Sequence, residues 1–263
     1  FGPDVSVGMI REAVMKLGFR DMYEVSLGAD FVSKNEGQEL LEHYEAGEKM
    51  TTSCCPAFVS LIKKHYPQVL KYMSTTVSPM TATGRLIKAM HPDAVCVFIG
   101  PCIAKKSEVI DSITFGGADY AMTYEELASM FEAKNIDPEE CTETLQQGSK
   151  FGKQYSVSGG VTAAVLETFK EANKEVDLKV KTCSGALECK KALMLLKVGK
   201  LPEDFIEGMA CVGGCVNGPA MLGKSRTFLK DRNGQIAKAD DRGVLENVAQ
   251  YDEYGINMTR NHQ

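Results

Sequence analysis

The chain has 263 residues, of which 44% are hydrophobic and 25% charged, and its formal net charge is −5 at pH 7. This composition suits one large core or two modest lobes and excludes a fibre or a disordered chain. The acidic balance, without a run of lysine or arginine, argues against nucleic acid and against an anionic membrane as partners. No apolar stretch is as long as a bilayer span, so we expect a cytoplasmic protein. Because the chain begins with Phe1, we also expect a segment upstream of it.

Helix and strand patterns alternate in the first half of the chain. Proline at the start of two patterns and glycine at the end of one mark their boundaries, and Gly37 inside a predicted helix costs about 1 kcal/mol relative to alanine. In chain order the pattern predicts a helix over 6–17, a strand over 22–26, helices over 33–45, 56–66 and 78–91, and a buried strand over 94–99.

The second half repeats the alternation. Thr123 and Glu126 form a capping box at the start of a predicted helix. The predicted elements are a strand over 119–122, helices over 123–133, 161–171 and 187–197, and strands over 178–182 and 205–209. This alternation predicts an α/β protein of two lobes, each a small mixed β-sheet flanked by helices, with residues 1–113 in the first lobe and 114–263 in the second.

Nine cysteines in a chain of this kind favour thiolate metal ligation or reactive thiols over a disulfide scaffold. They include three sites on glycine- or proline-bearing turns at the ends of predicted elements. Cys54 and Cys55 are adjacent, which makes it hard for both to bind one metal centre. One thiol from the first site, one from the second and two from the third give the four that a 4Fe-4S cluster requires. The alternative is that these are ordinary buried cysteines.

Three segments carry a resemblance to a known family. Residues 52–56 read T-S-C-C-P, residues 101–108 match P-C-x-x-K-x-x-E, and residues 207–215 match E-x-M-A-C-x-x-G-C. In this order they resemble the three signature motifs of iron-only (FeFe) hydrogenases, and the likeness spans almost the whole chain. The resemblance implies reversible interconversion of H2 with protons and electrons at a metal cluster in the cleft between the lobes.

The resemblance also implies the cofactor and the residues that hold it. The cofactor is the H-cluster, a 4Fe-4S cluster linked to a di-iron subsite with carbonyl, cyanide and dithiolate-amine ligands. The implied partners are H2 and protons, electron-transfer iron–sulfur domains or ferredoxin, and the maturation proteins that insert the di-iron unit. The implied cluster ligands are Cys55, Cys102, Cys211 and Cys215, of which the last also bridges to the di-iron subsite. The implied contacts to the di-iron subsite are Lys105, which binds cyanide, with Met209, Pro101 and Ser53.

Without the motifs, Lys105 would be a solvated surface amine and Met209 a simple core methionine. The family passes protons from the spare cysteine through a glutamate, a serine and a second glutamate, which match Cys54, Glu36, Ser74 and Glu39. Residues 36, 39 and 43 lie on one face of a predicted helix. The alternative interpretation is that this face is only a polar surface exposed to solvent. His43 stands where better-known members carry an outer arginine, and Tyr155 matches a position near the cluster.

Several departures indicate a divergent subgroup, among them Gly100 in place of methionine and Ala57 and Phe58 in place of glycine and tryptophan. The cysteines at 96, 141, 183 and 189 match no motif and are predicted to be structural or surface thiols. Two alternatives stay open, a non-catalytic hydrogenase-like iron–sulfur assembly protein and a hydrogen-sensing relative. Cys54 favours the enzyme, because both alternatives generally lack a cysteine there.

Overall fold

The structure is a computed structural model that describes residues 1–2, 4–111, 114–223 and 225–260, with only the backbone described for 225–229. The helices are α1 (Val7–Lys16), α2 (Val25–Glu45), α3 (Pro56–His65), α4 (Pro79–Met90), α5 (Ala104–Glu108), α6 (Tyr124–Ala133), α7 (Lys150–Gln154), α8 (Gly160–Glu171), α9 (Ala186–Lys197), α10 (Ser225–Ile236) and α11 (Val244–Ala249). The strands are β1 (Met50–Thr51), β2 (Val97–Ile99), β3 (Tyr120–Met122), β4 (Val180–Ser184) and β5 (Phe205–Met209).

Two small sheets organise these elements. One has the strand order β1-β5-β4 and the other pairs β2 with β3, and all of these pairings are parallel. Ser184 is paired with Met209, and Ile99 with Met122, so neighbouring strands end together. Ligand sites in α/β sheets lie beyond the carboxyl ends of the strands. The three cysteine motifs follow β1, β2 and β5 at those ends.

The predicted α/β class, with small sheets flanked by helices, is confirmed. The described strands pair in parallel, whereas mixed sheets were expected. Each sheet joins strands from both sides of residue 113, and residues 112–113 lie outside the described part of the chain. The division into lobes 1–113 and 114–263 therefore stays a prediction.

The predicted strand over 22–26 is wrong, because α2 begins at Val25 and runs for 21 residues. Its first half buries polar as well as apolar side chains, including Asp30 and Ser33, so the helical period of hydrophobicity is weak there. Gly37 has a packing role in this helix. A Cβ atom at that position would lie 2.5 Å from the Thr168 hydroxyl oxygen of α8, so glycine permits the close approach of α2 and α8.

Most other predicted elements are present within two or three residues of their expected bounds, and the capping box of Thr123 and Glu126 is confirmed. The pattern missed β1, α5, α7 and α11, which have two to six residues and are too short to show a period, and it missed α10. Within the described ranges, no helix has the length and apolarity needed to cross a membrane.

The hydrophobic core consists of several clusters that surround the motif loops. Phe58 and Ile62 of α3 pack with Leu193 of α9 and Ile206 of β5 on one side. On the other side, α2, α4 and α8 pack together in a cluster that also contains Cys54, Tyr155 and Met209. The first cysteine motif therefore contacts both clusters, through Cys54 in one and Cys55 against the other. The four cysteines outside the motifs, at 96, 141, 183 and 189, are all buried.

Candidate cluster site and proton path

The motif loops start where parallel strands end. Cys55 is the residue before the first turn of α3, and Pro56 occupies that turn, where its missing N–H costs nothing. Gly213 and Gly214 have φ values of +81° and +100°, so the turn before Cys215 needs glycine. Backbone geometry therefore turns the chain sharply at two of the three cysteine sites.

The thiols of Cys55, Cys102, Cys211 and Cys215 are close enough to affect one another electrostatically. Burial raises the pKa of Cys55, Cys211 and Cys215, and the charges of the neighbouring thiols raise the pKa of each further. The Cys55 sulfur also accepts hydrogen bonds from the backbone N–H groups of Ala210 and Phe58, which favour its thiolate. Raised pKa values keep the thiols of Cys55, Cys211 and Cys215 protonated, and a bound cation would favour their thiolate forms.

A 4Fe-4S cluster and a single metal ion require different spacings of their ligands. Within the described ranges, no three His, Cys, Asp or Glu side chains are arranged to hold one metal ion. A 4Fe-4S cluster binds each thiolate at a different iron and thus spreads the four sulfurs apart. The hydroxyl groups of Ser156 and Ser158, beside the Gly214 turn, are buried and have no hydrogen-bond partner in the part of the chain that the structure describes. Unpaired buried donors next to the thiols suit an acceptor that the protein itself does not provide.

Lys105 is buried, with 8% of its surface exposed, so the surface-amine alternative is wrong. Its Nζ lies 2.6 Å from Glu108 Oε2 and 3.5 Å from the carbonyl oxygen of Cys54. Burial lowers the pKa of Lys105, but the Glu108 carboxylate and the charges of Cys102 and Cys215 outweigh burial and raise it overall. The ammonium is therefore charged and close to the cysteines.

The spare thiol of the first motif lies beside a buried carboxyl group. Cys54 is 9% exposed, and burial and the charge of Glu36 raise its pKa well above the ordinary value. Glu36 is fully buried, and burial together with the charge of Glu39 raises its pKa to about 8. The alternative that this helix face is only a solvent-exposed polar surface is therefore wrong for Glu36. Its carboxyl group is protonated near pH 7.

Ser74 and Glu39 form the next hydrogen-bonded group. Ser74 Oγ donates to Glu39 Oε2 at 2.6 Å, and the N–H of Thr75 donates to the other carboxylate oxygen at 2.7 Å. Glu39 is half-buried, and farther along the helix the half-buried His43 lies 3.2 Å from the exposed Glu48. Burial thus decreases along one face of α2 from the fully buried Glu36 to the half-buried Glu39 and His43.

The remaining predicted site residues lie at the same end of the sheets. Ser53 Oγ donates to the carbonyl oxygen of Thr76 at 2.5 Å, and the Pro101 carbonyl accepts from the N–H of Ala220 at 3.0 Å. Met209, at the end of β5, is 2% exposed and belongs to the core cluster that contains Cys54.

Three residues of this region had no predicted role. Glu207 is fully buried and accepts from the N–H groups of Gly159 and Thr162 at 2.6 and 2.9 Å, which anchors β5 to the start of α8. Arg260 is 3% exposed and donates to the Ser53 carbonyl at 2.8 Å. Glu108 pairs with Lys105 as described above. The motifs contained Glu108 and Glu207, whereas no local signal points to Arg260, which lies 207 residues from its partner.

A family model described as "Iron only hydrogenase large subunit, C-terminal domain" matches residues 1–219. The chain therefore belongs to the iron-only hydrogenase family. It is 32% identical to the periplasmic [Fe] hydrogenase large subunit of Nitratidesulfovibrio vulgaris, over 83% of this chain and 64% of that protein. It is 28% identical to iron hydrogenase 1 of Clostridium pasteurianum, over 100% of this chain and 52% of that protein. The chain thus spans between about half and two thirds of the length of these relatives.

The fold agrees with that of a solved structure. A variant of the [FeFe]-hydrogenase HydA1 from Chlamydomonas reinhardtii superimposes with a TM-score of 0.78 at 21% identity, covering 99% of this chain and 88% of the other. The chain is also 25% identical to a protein named cytosolic Fe-S cluster assembly factor narfl in Danio rerio, over 90% of this chain and 72% of that protein. The relatives thus include proteins named as hydrogenases and a protein named as an Fe-S cluster assembly factor.

Proposed function

We propose that this chain is the H-cluster domain of a hydrogenase that interconverts H2 with protons and electrons reversibly. The observation that supports this most is the buried Cys54 thiol beside the fully buried, neutral carboxyl group of Glu36. A protein that only held an iron–sulfur cluster would need neither group. Burying an acid next to a thiol costs stability, and titratable groups perturbed in this way cluster at functional sites.

In this proposal Cys55, Cys102, Cys211 and Cys215 hold the 4Fe-4S cluster, and Cys215 also bridges to the di-iron subsite. When bound, the H-cluster supplies the electrons and the di-iron centre at which hydrogen is formed or split. The thiols, the N–H donors to Cys55 and the unpaired serine hydroxyls fit such a group.

Lys105 is proposed to donate to a cyanide ligand of the di-iron subsite. An ammonium group has three N–H donors, and Glu108 and the Cys54 carbonyl account for two of them. The third is available to an anionic ligand in the site. Ser53, Pro101 and Met209 are proposed to contact the same subsite, with Met209 supplying an apolar, polarizable surface.

The proton path is proposed to run from Cys54 to Glu36 and on through Ser74 and Glu39 to the surface near His43. Glu36 holds its proton up to a pH of about 8, so it is able to give that proton to a thiolate and take another from the outer side. The Ser74 hydroxyl already donates to Glu39, so the outer link is formed in the resting protein.

The electron partner is proposed to be an acidic iron–sulfur protein or domain, such as a ferredoxin, that docks on the outer face of α9. Leu187, Met194 and Val198 are 74%, 57% and 56% exposed and lie on one face of that helix. Exposed lysines at 190, 191 and 197 surround them. Val212, next to the ligand Cys211, is 73% exposed and lies close to Gly185 at the start of α9. An apolar stripe with a basic rim fits a partner of opposite charge.

Maturation proteins that insert the di-iron unit are proposed as transient partners. The cytoplasm stays our prediction for the compartment, and the relative from Nitratidesulfovibrio vulgaris is named as periplasmic.

Infrared spectroscopy tests the proposal. The chain, produced with the maturation proteins, is expected to show carbonyl and cyanide stretching bands together with an electron paramagnetic resonance signal from a reduced 4Fe-4S cluster, and to evolve H2 from an artificial reductant. A cluster signal without those bands and without H2 turnover, after maturation that loads a known hydrogenase in parallel, would contradict the proposal and favour an assembly protein.

A further inference from the structure

Tyr155 places a hydroxyl group between the two buried residues of the proposed proton path. The side chain is 6% exposed and lies in the core cluster with Cys54 and Met209. Its Oη donates to Glu36 Oε2 at 3.4 Å, across 119 residues of sequence. The same hydroxyl is within hydrogen-bond reach of the Cys54 side chain. No other tyrosine described in the structure contacts either residue through its hydroxyl.

The two oxygens of the Glu36 carboxyl group differ in their hydrogen bonds. Its Oε2 accepts from Tyr155, and the backbone N–H of Ser53 also interacts with the carboxyl group. Its Oε1 is buried and has no hydrogen-bond partner among the described residues. One oxygen is therefore held in place, while the other is free to exchange a proton.

The tyrosine itself is rigidly placed. Its backbone N–H donates to the carbonyl oxygens of Phe151 and Gly152 at 3.1 and 3.3 Å, so Tyr155 closes α7. At the start of α8, a Cβ atom at Gly160 would collide with the Gln154 carbonyl, so the two helices approach as closely as glycine allows. Because the side chain is also packed in the core cluster, its hydroxyl has little freedom to move.

The hydroxyl also stays a donor. Burial and the charges of Cys54, Glu36 and Glu207 raise the pKa of Tyr155 well above its ordinary value. The tyrosine thus keeps its proton over the working range of pH and does not itself compete as a base. A phenylalanine would fill the same space but would leave Glu36 Oε2 without this donor.

We propose that Tyr155 is a positioning residue, which holds the Glu36 carboxyl group through Oε2 and so fixes the direction of the unpaired Oε1 in the proposed proton path. The tyrosine hydroxyl keeps its own proton. The inference rests on the proposed hydrogenase function, and it assigns to the chain a group that the three signature motifs do not contain.

The inference is tested with the variant Tyr155→Phe in the full chain, on which two quantities are measured. The first readout is the C=O stretching band of the protonated Glu36 carboxyl, identified by its absence in Glu36→Gln and measured on protein that carries only the 4Fe-4S cluster. Loss of the hydrogen bond to Oε2 is expected to raise the frequency of this band. The second readout is H2 turnover of the matured protein with an artificial donor, which we expect to fall roughly tenfold while the carbonyl and cyanide bands stay unchanged.

Tyr251→Phe is the matched control. Tyr251 packs against the same core cluster, 6.3 Å from the ring of Phe31, and no hydrogen bond from its hydroxyl is described. This variant should change neither the carboxyl band nor turnover. A shift of the band and loss of turnover in Tyr155→Phe alone would support the inference.

Two results would overturn the inference. One is an unshifted carboxyl band in Tyr155→Phe, and the other is a shifted band with wild-type turnover. Failure of the proposed function has a different signature, namely a wild-type chain without carbonyl and cyanide bands and without turnover. In that case the carboxyl band still reports whether Tyr155 holds Glu36, so the two failures are distinguishable.

Discussion

The Lys105 ammonium lies 2.6 Å from the Glu108 carboxylate, although these side chains are only 10% and 3% exposed. Burying two charges is expensive, and removing one partner of such a pair leaves the other charge uncompensated. The pair is formed within one short helix, α5, whose residues are part of the second cysteine motif. Glu108 therefore keeps a charged lysine inside the site, where an anionic ligand is proposed to bind.

Replacing Lys105 with asparagine is expected to impair retention of the di-iron unit more than retention of the 4Fe-4S cluster. The variant loses the only charged donor assigned to cyanide but none of the four thiols. Infrared bands of carbonyl and cyanide should be weak or absent, while the paramagnetic signal of the reduced cluster remains. Lys106→Asn is the control, because Lys106 pairs with Glu126 on the surface. Normal bands and activity in Lys105→Asn would refute the assignment.

Cys54→Ser and Cys54→Ala are both expected to retain the clusters and the infrared bands but to lose most H2 turnover, by about a hundredfold or more. A hydroxyl is a far weaker acid than a thiol, so serine does not replace the carrier. An artificial electron donor should not restore the rate, since protons are then limiting. Cys96→Ala, at a buried cysteine outside the motifs, should leave turnover unchanged.

Loss of the 4Fe-4S signal in Cys54→Ala would show instead that Cys54 is a cluster ligand, and the assignment of ligands in the first motif would shift by one residue. Turnover near the wild-type level would mean that protons take another route.

Reversing the charge of the α9 face should slow electron delivery by a protein donor. For Lys190→Glu combined with Lys191→Glu, we expect H2 evolution driven by an acidic ferredoxin to fall several-fold or more at low salt, and the difference to shrink at high salt. Turnover with a small artificial donor should not change. Lys134→Glu, at the exposed end of α6, is the control. Equal ferredoxin-driven rates in all variants would count against docking on this face.

Asp30 should make the stability of the chain depend on pH. Its carboxylate accepts from Ser149 Oγ at 2.6 Å and from Asn247 Nδ2 at 2.7 Å, and so links α2 to α7 and α11. Burial, the largest cause, raises its pKa from 3.8 to about 6 in spite of these hydrogen bonds. Between those values the folded chain holds a proton that the unfolded chain has released, so the free energy of unfolding falls as pH rises.

The expected fall is about 1.4 kcal/mol per pH unit within that window and ends above pH 6. From pH 5 to pH 7, denaturant unfolding of the wild type should therefore lose about 1 kcal/mol more than that of Asp30→Asn, which has no charge to release. Asp93→Asn, on an exposed turn, should follow the wild type. Parallel curves for the wild type and Asp30→Asn would show that Asp30 ionises normally.

The sequence determined what depends on a few neighbouring residues. Ser6 and Thr123 cap helices, because each side chain accepts a hydrogen bond from a backbone N–H three residues later. Pro56 and Pro79 begin helices, because the φ angle of proline is fixed near the helical value. Both ends of β5, at Phe205 and Met209, were predicted correctly. The turns that carry the motif cysteines were also predictable locally, because glycine or proline residues lie next to them.

Only the tertiary structure decided which of these groups meet and how deeply they are buried. Glu36 and Glu39 look alike in sequence, yet the first is fully buried beside Tyr155 and Ser53, and the second is half-buried. The contact of Tyr155 with Glu36 spans 119 residues, and the pairing of β1 with β5 spans more than 150. Burial sets the pKa of a carboxyl group through the loss of water around it, and water is excluded by the whole packed chain rather than by its neighbours in sequence.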